Sequence, residues 1–244
     1  RCVTIQIYGD VMKENSIEYK LTGKYALFTD PITKIGGEKS TYLVPTYEAI
    51  KGITQSIYWK PTIIWVIDKI RLINKIRTEA KNVKPISYSG GANELSVYTY
   101  LRDVEYRVKA HFEWNLQRAD LEKDRNENKH FDMACRSLEK GGRRDIFLGT
   151  RECQGYVEPC LFEDGKSFYD DEEPFSFGLM FHGFDYPSEV ASKKLTARFW
   201  NVKMEKGVIT FPRPEDCDIR REIRDYSVIN PMVNTEENDN GGEK

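Results

Sequence analysis

Two stretches decide the fold: Thr62-Ile-Ile-Trp-Val-Ile-Asp-Lys-Ile-Arg-Leu-Ile-Asn-Lys-Ile76 and Ser96-Val-Tyr-Thr-Tyr-Leu-Arg-Asp-Val-Glu-Tyr-Arg-Val-Lys-Ala-His-Phe-Glu-Trp114. The first is dense in β-branched residues, which suit a pleated surface better than a helix. It predicts a strand that continues beyond the core as a projecting ribbon. The second half of the other stretch alternates apolar with polar positions, the period of a half-buried strand. Between them, Lys81 to Asn93 holds Pro85, Gly90 and Gly91 and predicts the turn that joins the strands.

Upstream, Ile17 to Phe28 alternates and predicts a first strand, followed by a loop from Thr29 to Thr41. Pro45 suits a first helical turn, and Ile50, Ile53 and Ile57 recur at helical spacing, so an amphipathic helix is expected up to Pro61. Downstream, Phe131, Ala134, Cys135 and Leu138 define a second helix, which Gly141-Gly142 should end. Ile146 to Leu148 and Cys153 to Cys160 predict one more strand. The order β-α-β-β-α-β over residues 17–160 reads as an α+β, ferredoxin-like (RRM-like) domain. Residues 161–225 hold Phe175 to Tyr186, Leu195 to Met204 and Val208 to Phe211, expected as a small antiparallel C-terminal sheet. Residues 1–16 are set aside as an extension, and the polar tail 226–244 is expected to be disordered.

With 39% hydrophobic and 31% charged residues, the 244-residue chain cannot be collagen-like or wholly disordered. Its longest apolar run, Ile63 to Ile67, is far below the roughly 18 residues of a membrane span. A cytoplasmic protein is expected, with no membrane partner. Cys2, Cys135, Cys153, Cys160 and Cys217 form no CxxC pair, so reduced and mostly buried thiols are expected, with no metal site and no cofactor. Net charge is only −2, yet charge is segregated along the chain. Residues 51–89 carry eight basic side chains against two acidic ones, and residues 158–173 carry seven acidic against one basic. A basic face for a polyanion fits this pattern, as does the ordinary fluctuation of a solvated surface.

Further motifs are more specific. Phe28-Thr-Asp-Pro31, Lys34-Ile-Gly-Gly-Glu-Lys39, Ser56-Ile-Tyr-Trp-Lys-Pro61, Gly141-Gly-Arg-Arg-Asp-Ile-Phe-Leu-Gly-Thr-Arg-Glu-Cys-Gln-Gly-Tyr156 and Phe211-Pro-Arg-Pro-Glu-Asp-Cys217 resemble the CRISPR-associated Cas-five family of subtype I-C, the Dvulg type. The resemblance runs from about Tyr19 to about Ile219. It implies a ferredoxin-like domain with a glycine-rich loop after its second helix, and RNA as ligand. It further implies an endoribonuclease that cuts precursor CRISPR RNA at the 3′ base of the repeat hairpin without a metal. The product's 5′ handle would stay bound, with the backbone and large subunits of the type I-C interference complex as partners and duplex DNA as a further ligand. Relatives outside the subtype carry the fold without cutting, which leaves a handle-binding subunit as the rival reading. A DNA-cutting nuclease is a third, although the acidic run Asp170 to Glu173 reads more simply as a solvated turn.

The family's catalytic tyrosine and lysine-histidine pair match Tyr58 and Lys129-His130. A phenol, a cation and an imidazole can share the proton transfers and charge of 2′-hydroxyl attack. On a helical wheel Tyr58 aligns with Lys51 and Thr54 and is expected to be partly exposed, though such a tyrosine is also an ordinary cover for a core. Lys129, Arg136 and Lys140 fall on one face with Met133, opposite the core stripe, and read as phosphate-facing. Gly141, Gly142, Arg143 and Arg144 can close on an RNA backbone, and equally can be a helix cap followed by surface arginines. Lys51, Lys69, Arg71, Lys75 and Arg77 complete the expected RNA-binding set, with Lys81 and Lys84 on the same ribbon. His111 is a reserve catalytic candidate beside Lys109. His182 and the aromatics Tyr98, Tyr100, Tyr106 and Trp114 have packing as their default role.

Overall fold

The computed structural model describes residues 15–31, 33, 38–84, 95–186, 189–190 and 194–225. The first fourteen residues of the expected extension, Gly36, Gly37, the turn glycines Gly90 and Gly91, Pro85 and the expected tail 226–244 lie outside the described residues.

In chain order the elements are β1 (Ser16–Ala26), α1 (Tyr47–Ile57), β2 (Ile63–Leu72), β3 (Thr78–Val83), β4 (Ser96–Trp114), α2 (Glu127–Glu139), β5 (Ile146–Phe147), β6 (Gln154–Pro159), β7 (Phe175–Asp185), β8 (Lys194–Met204), β9 (Val208–Thr210) and β10 (Ile219–Asp225). The large sheet runs β5-β6-β1-β4-β2-β9, with β3 added to β4, and a three-stranded sheet runs β10-β8-β7. Among the described residues the pairings between these strands are antiparallel.

On β1, the buried Ile17, Tyr19 and Leu21 alternate with Glu18 and Lys20, so one face of the sheet is apolar. Both helices cover that face. Ile50, Ile53 and Ile57 of α1 and Ala134 and Leu138 of α2 join Tyr19, Trp65, Val108 and Phe112 in one core, and Tyr19 Oη meets Thr54 Oγ1 of α1 at 2.8 Å. Thr46 caps α1, its hydroxyl accepting from the Ala49 amide at 3.2 Å. Pro45 therefore stands just before the cap and not in the first turn, and the helix ends at Ile57, four residues before Pro61. Its last carbonyls are satisfied from the glycine loop: the Arg143 amide donates to Ser56 and Ile57 and the Arg144 amide to Ser56. Gly141 and Gly142 adopt φ +81° and +104°, the left-handed geometry that ends α2.

Several expectations need correction. Ser16 pairs with His111 in β1, and the Asn15 side chain donates to the Phe112 carbonyl at 2.8 Å, so residues 15 and 16 belong to the sheet and not to an extension. The strand expected over Thr62 to Ile76 breaks after Leu72. Opposite the break, β4 carries Asp103 at φ +51°, and Asn74 Nδ2 donates to the Asp103 carbonyl at 2.9 Å. This irregularity bends the chain off the sheet, and the ribbon resumes as β3 against the first part of β4. Val208 to Thr210 joins the large sheet beside Lys69 to Arg71, covering the outer edge of β2, and not the small sheet. The small sheet takes β10 instead, whose sequence Ile-Arg-Arg-Glu-Ile-Arg-Asp is exposed at every position and has no clean alternation.

The acidic run Asp170 to Glu173 is the solvated turn expected of it, with Asp171, Glu172 and Glu173 exposed, but the stretch leading into it is not loose. From Phe162 to Asp170 the chain lies across the back of the sheet. Phe162 is buried, its amide donates to Glu18 Oε2 at 2.7 Å, and Arg71 and Arg107 donate to the carbonyls of Glu163 and Asp164.

Gly149, just after β5, lies hard against the chain that leaves β1, since at its φ of +94° an added Cβ would sit 2.0 Å from the Leu27 carbonyl oxygen. Gly149→Ala combines left-handed strain with a backbone clash and is expected to cost about 2–4 kcal/mol. Thermal unfolding should show a drop of about 5–15 °C, and an unchanged midpoint would refute the close approach.

Candidate active site

Tyr58 is the first residue beyond α1. Its backbone is extended (φ −154°, ψ 131°), so its side chain does not follow the helical wheel. It turns inward and is fully buried, which corrects the expected partial exposure. Trp65 Nε1 locks the turn by donating to the Tyr58 carbonyl at 2.7 Å.

His130 lies in the first turns of α2 and shares the buried stripe with Ala134 and Leu138 at steps of four. It faces the core and not the Lys129 side of the helix. The rings of Trp114, Tyr58 and Phe112 surround the imidazole at 5.7, 6.0 and 6.2 Å. Its Nδ1 lies 2.8 Å from Tyr58 Oη, and its Nε2 lies 2.9 Å from the Asp124 carbonyl oxygen. A carbonyl only accepts, so Nε2 carries a proton. In the neutral ring Nδ1 is then bare and accepts from the phenol. Burial, reinforced by the Asp124 charge and opposed by Arg143, pushes the Tyr58 pKa up to about 12, so the phenol keeps its proton at neutral pH.

Asp124 is the residue that sequence reasoning missed. It ends a 3-10 turn (Ala119–Asp124), and its carboxylate receives Lys129 Nζ at 2.5 Å and Thr62 Oγ1 at 2.7 Å, with His130 Nε2 at 3.4 Å. The hydrogen bonds from Lys129 and Thr62 hold its pKa down at about 2. An aspartate in an irregular loop five residues before a lysine belongs to no periodic pattern, so nothing local marked it. The resulting constellation is a buried phenol–imidazole pair beside a half-exposed ammonium on a fixed carboxylate. Such a group can pass protons and offset new negative charge.

The structure divides the expected RNA-binding residues. Lys51 is buried and paired with Glu189 Oε2 at 2.5 Å, because its face of α1 packs inward. Arg71 is buried on the back of the sheet and held by Asp170 at 2.9 Å. Neither offers a charge to a ligand. Lys69 lies over the Phe162 ring at 4.5 Å. Lys75, Arg77, Arg136, Lys140, Gly141, Arg143 and Arg144 are exposed, while Gly142 is half-buried. Lys81 lies over the Tyr25 ring. The aromatics Tyr98, Tyr100 and Tyr106 pack in the core, their default.

The other histidines stand apart. His111 Nδ1 meets Asp68 at 2.9 Å on the opposite face of the sheet, and that hydrogen bond raises its pKa against the effect of burial. Burial, reinforced by Arg198, pushes His182 down to about 3, which keeps it neutral. Cys135, Cys153, Cys160 and Cys217 are free thiols. Among the described residues, no three His, Cys, Asp or Glu side chains are grouped so as to hold a metal ion, and no helix is long and apolar enough to cross a membrane.

Comparison with known proteins gives a consistent picture. A family model described as CRISPR-associated protein (Cas5) matches residues 16–212. A curated protein of Mannheimia succiniciproducens, named CRISPR pre-crRNA endoribonuclease Cas5d, is 28% identical over 236 residues, covering 81% of this chain and 95% of that protein. A Thermus thermophilus protein of the same name is 29% identical over 153 residues, 59% of this chain and 63% of its own. Among solved structures, a crystal structure of a CRISPR-associated protein superposes with a TM-score of 0.72 at 38% identity, covering 87% of this chain and all of the other. A functionally uncharacterized protein from Streptococcus mutans gives 0.70 at 40% identity, covering 84% and 96%.

The depressed Asp124 pKa carries a sign. Against an ordinary value of 3.8, a folded value of about 2 contributes stability above about pH 4 that is lost as pH falls towards 2. The gap in urea midpoint between wild type and Asp124→Asn should therefore be widest above pH 4 and shrink towards pH 2. A gap independent of pH would mean that the carboxylate charge is not what holds the cluster.

Proposed function

This chain belongs to the CRISPR-associated Cas5 family, subtype I-C, and from that membership we propose that it is an endoribonuclease that cuts precursor CRISPR RNA at the 3′ base of the repeat hairpin. The observation that carries the proposal is the contact between Tyr58 and His130, with Lys129 held on Asp124 beside them.

In this reading the reaction needs no metal. The substrate's 2′-hydroxyl gives its proton to the Tyr58–His130 pair, and its oxygen bonds to phosphorus. The bond to the 5′-oxygen breaks, and that oxygen takes a proton from water, to which the imidazolium gives up its own, leaving a 2′,3′-cyclic phosphate and a 5′-hydroxyl. Lys129 leaves Asp124 to offset charge on the phosphorane. Because the phenol stays protonated and Nδ1 is bare, the imidazole is the ultimate base and the phenol is the group through which the proton passes. Proton transfer needs hydrogen-bond reach, so RNA binding has to uncover the pair. Met133, whose sulfur lies 3.7 Å from the phenol, is a flexible, half-buried cover at that point.

The path β6-β1-β4-β2, with α1 and α2 as crossovers on one face, supports a ferredoxin-like arrangement for residues 17–160. Residues 161–225 form the second unit, which lends β9 to the first. The product's 5′ handle stays bound, the backbone and large subunits of the interference complex are the protein partners, duplex DNA is a further ligand, and the cytoplasm is where they meet.

Wild type is expected to cleave its repeat hairpin in excess EDTA, and a single 2′-deoxy substitution at the cut should abolish cleavage. His130→Ala and Tyr58→Phe should each lower the single-turnover rate by about 10²-fold or more. Binding without cleavage by wild type would reduce the constellation to a packing contact and leave a handle-binding subunit.

A further inference from the structure

About 30 Å along β2 from the catalytic candidates, by strand geometry, the ribbon leaves the sheet. There Ile73, Asn74, Lys75, Arg77, Asp103 and Phe168 line an open groove of about 330 Å³. Phe168 is 47% exposed, in a chain whose aromatics mostly pack inside. It is not a loose loop residue. Its amide donates to the Ile73 carbonyl at 2.9 Å, the preceding Ser167 hydroxyl donates to the Leu72 carbonyl at 2.5 Å, and the following Tyr169 hydroxyl accepts from the Ile76 amide at 2.8 Å. The ring is fixed in an exposed position, with Lys75 Nζ 5.0 Å from its centroid.

Charge makes the groove distinctive. Neighbouring Arg71 is spent on Asp170, but Lys75 and Arg77 are exposed and neither forms an ion pair among the described residues. The carboxylate on the rim, Asp103, is held by Arg102 Nε at 3.1 Å, which mutes its repulsion of an anion. Asp103 also takes the left-handed backbone at φ +51°, which shapes the groove.

We propose that this groove binds one unpaired nucleotide of the RNA, with its base stacked on Phe168 and its phosphates on Lys75 and Arg77. The inference rests on RNA being the ligand of the chain. A groove of this size admits a single planar base with its sugar but not a base pair, and a base inside a duplex has no free face to offer. Lys75 covers the ring in the free chain, and on binding the ammonium exchanges the ring for a phosphate while the base takes its place. Phe168 carries no motif, so the sequence alone leaves it among core aromatics.

The test uses uncleavable repeat RNA, 2′-deoxy at the cut, with 2-aminopurine placed singly at each unpaired position. Wild type and Phe168→Tyr should quench the fluorescence of one position. Phe168→Leu, which keeps the volume but lacks a ring, should lose that quenching and bind about tenfold more weakly. A thermal melt matching wild type shows that Phe168→Leu is folded. Should quenching and affinity be the same in Phe168→Leu as in wild type, the groove does not hold a base and the proposal falls. Failure of wild type to bind the RNA at all would instead overturn the proposed function, and this inference with it.

Discussion

A nineteen-residue strand has to find hydrogen-bond partners for its backbone along its whole length, and β4 is that strand. It pairs with β3 from Ser96 to Leu101, with β1 from Leu101 to His111 and with β2 from Tyr106 to Trp114, so the large sheet and the ribbon both depend on it. Where it changes partner from β2 to β3 the register cannot be continuous, and Asp103 absorbs the mismatch. At the other end, Phe112 and Trp114 form part of the aromatic wall around His130. The groove beside Asp103, near the middle of β4, and the candidate catalytic constellation at its C-terminal end thus share one strand.

The constellation illustrates how burial sets chemistry. A tyrosine and a histidine removed from water are held in one hydrogen-bonded arrangement by the few polar atoms around them. The Asp124 carbonyl dictates where the imidazole proton sits, and the phenol fills the other nitrogen. The Asp124 carboxylate stays ionised beside them because Lys129 and Thr62 hold it, so one residue serves the ring through its backbone and the lysine through its side chain.

Charge along the chain tells a different story from charge in space. The basic run at 51–84 looks uniform in the sequence, yet Arg71 is consumed by the acidic run that follows ninety-odd residues later, and Lys51 is consumed by Glu189. The acidic segment is a strap that fastens the back of the sheet. What remains for an anion is the subset at the ribbon and at the glycine loop, where curvature leaves side chains in solvent.

Local periodicity was enough to place both helices and most strands, because a helix face or a strand face is written by residues within one or two turns of each other. Gly141-Gly142 as the end of α2 was legible for the same reason, whereas Tyr58 and Lys129-His130 were marked only by the resemblance to a family. The break after Leu72, the capture of β9 by the large sheet and the exposed strand β10 were not, since each is decided by a partner strand far away in sequence. Tyr58 was expected to be partly exposed because it aligns with Lys51 and Thr54, and it is buried because that face of α1 also packs inward. The meeting of Tyr58 with His130 across 72 residues, the part played by Asp124 and the exposure of Phe168 were decided only by the tertiary structure. The sequence determined which surfaces had to be buried; packing those surfaces together determined which polar groups met.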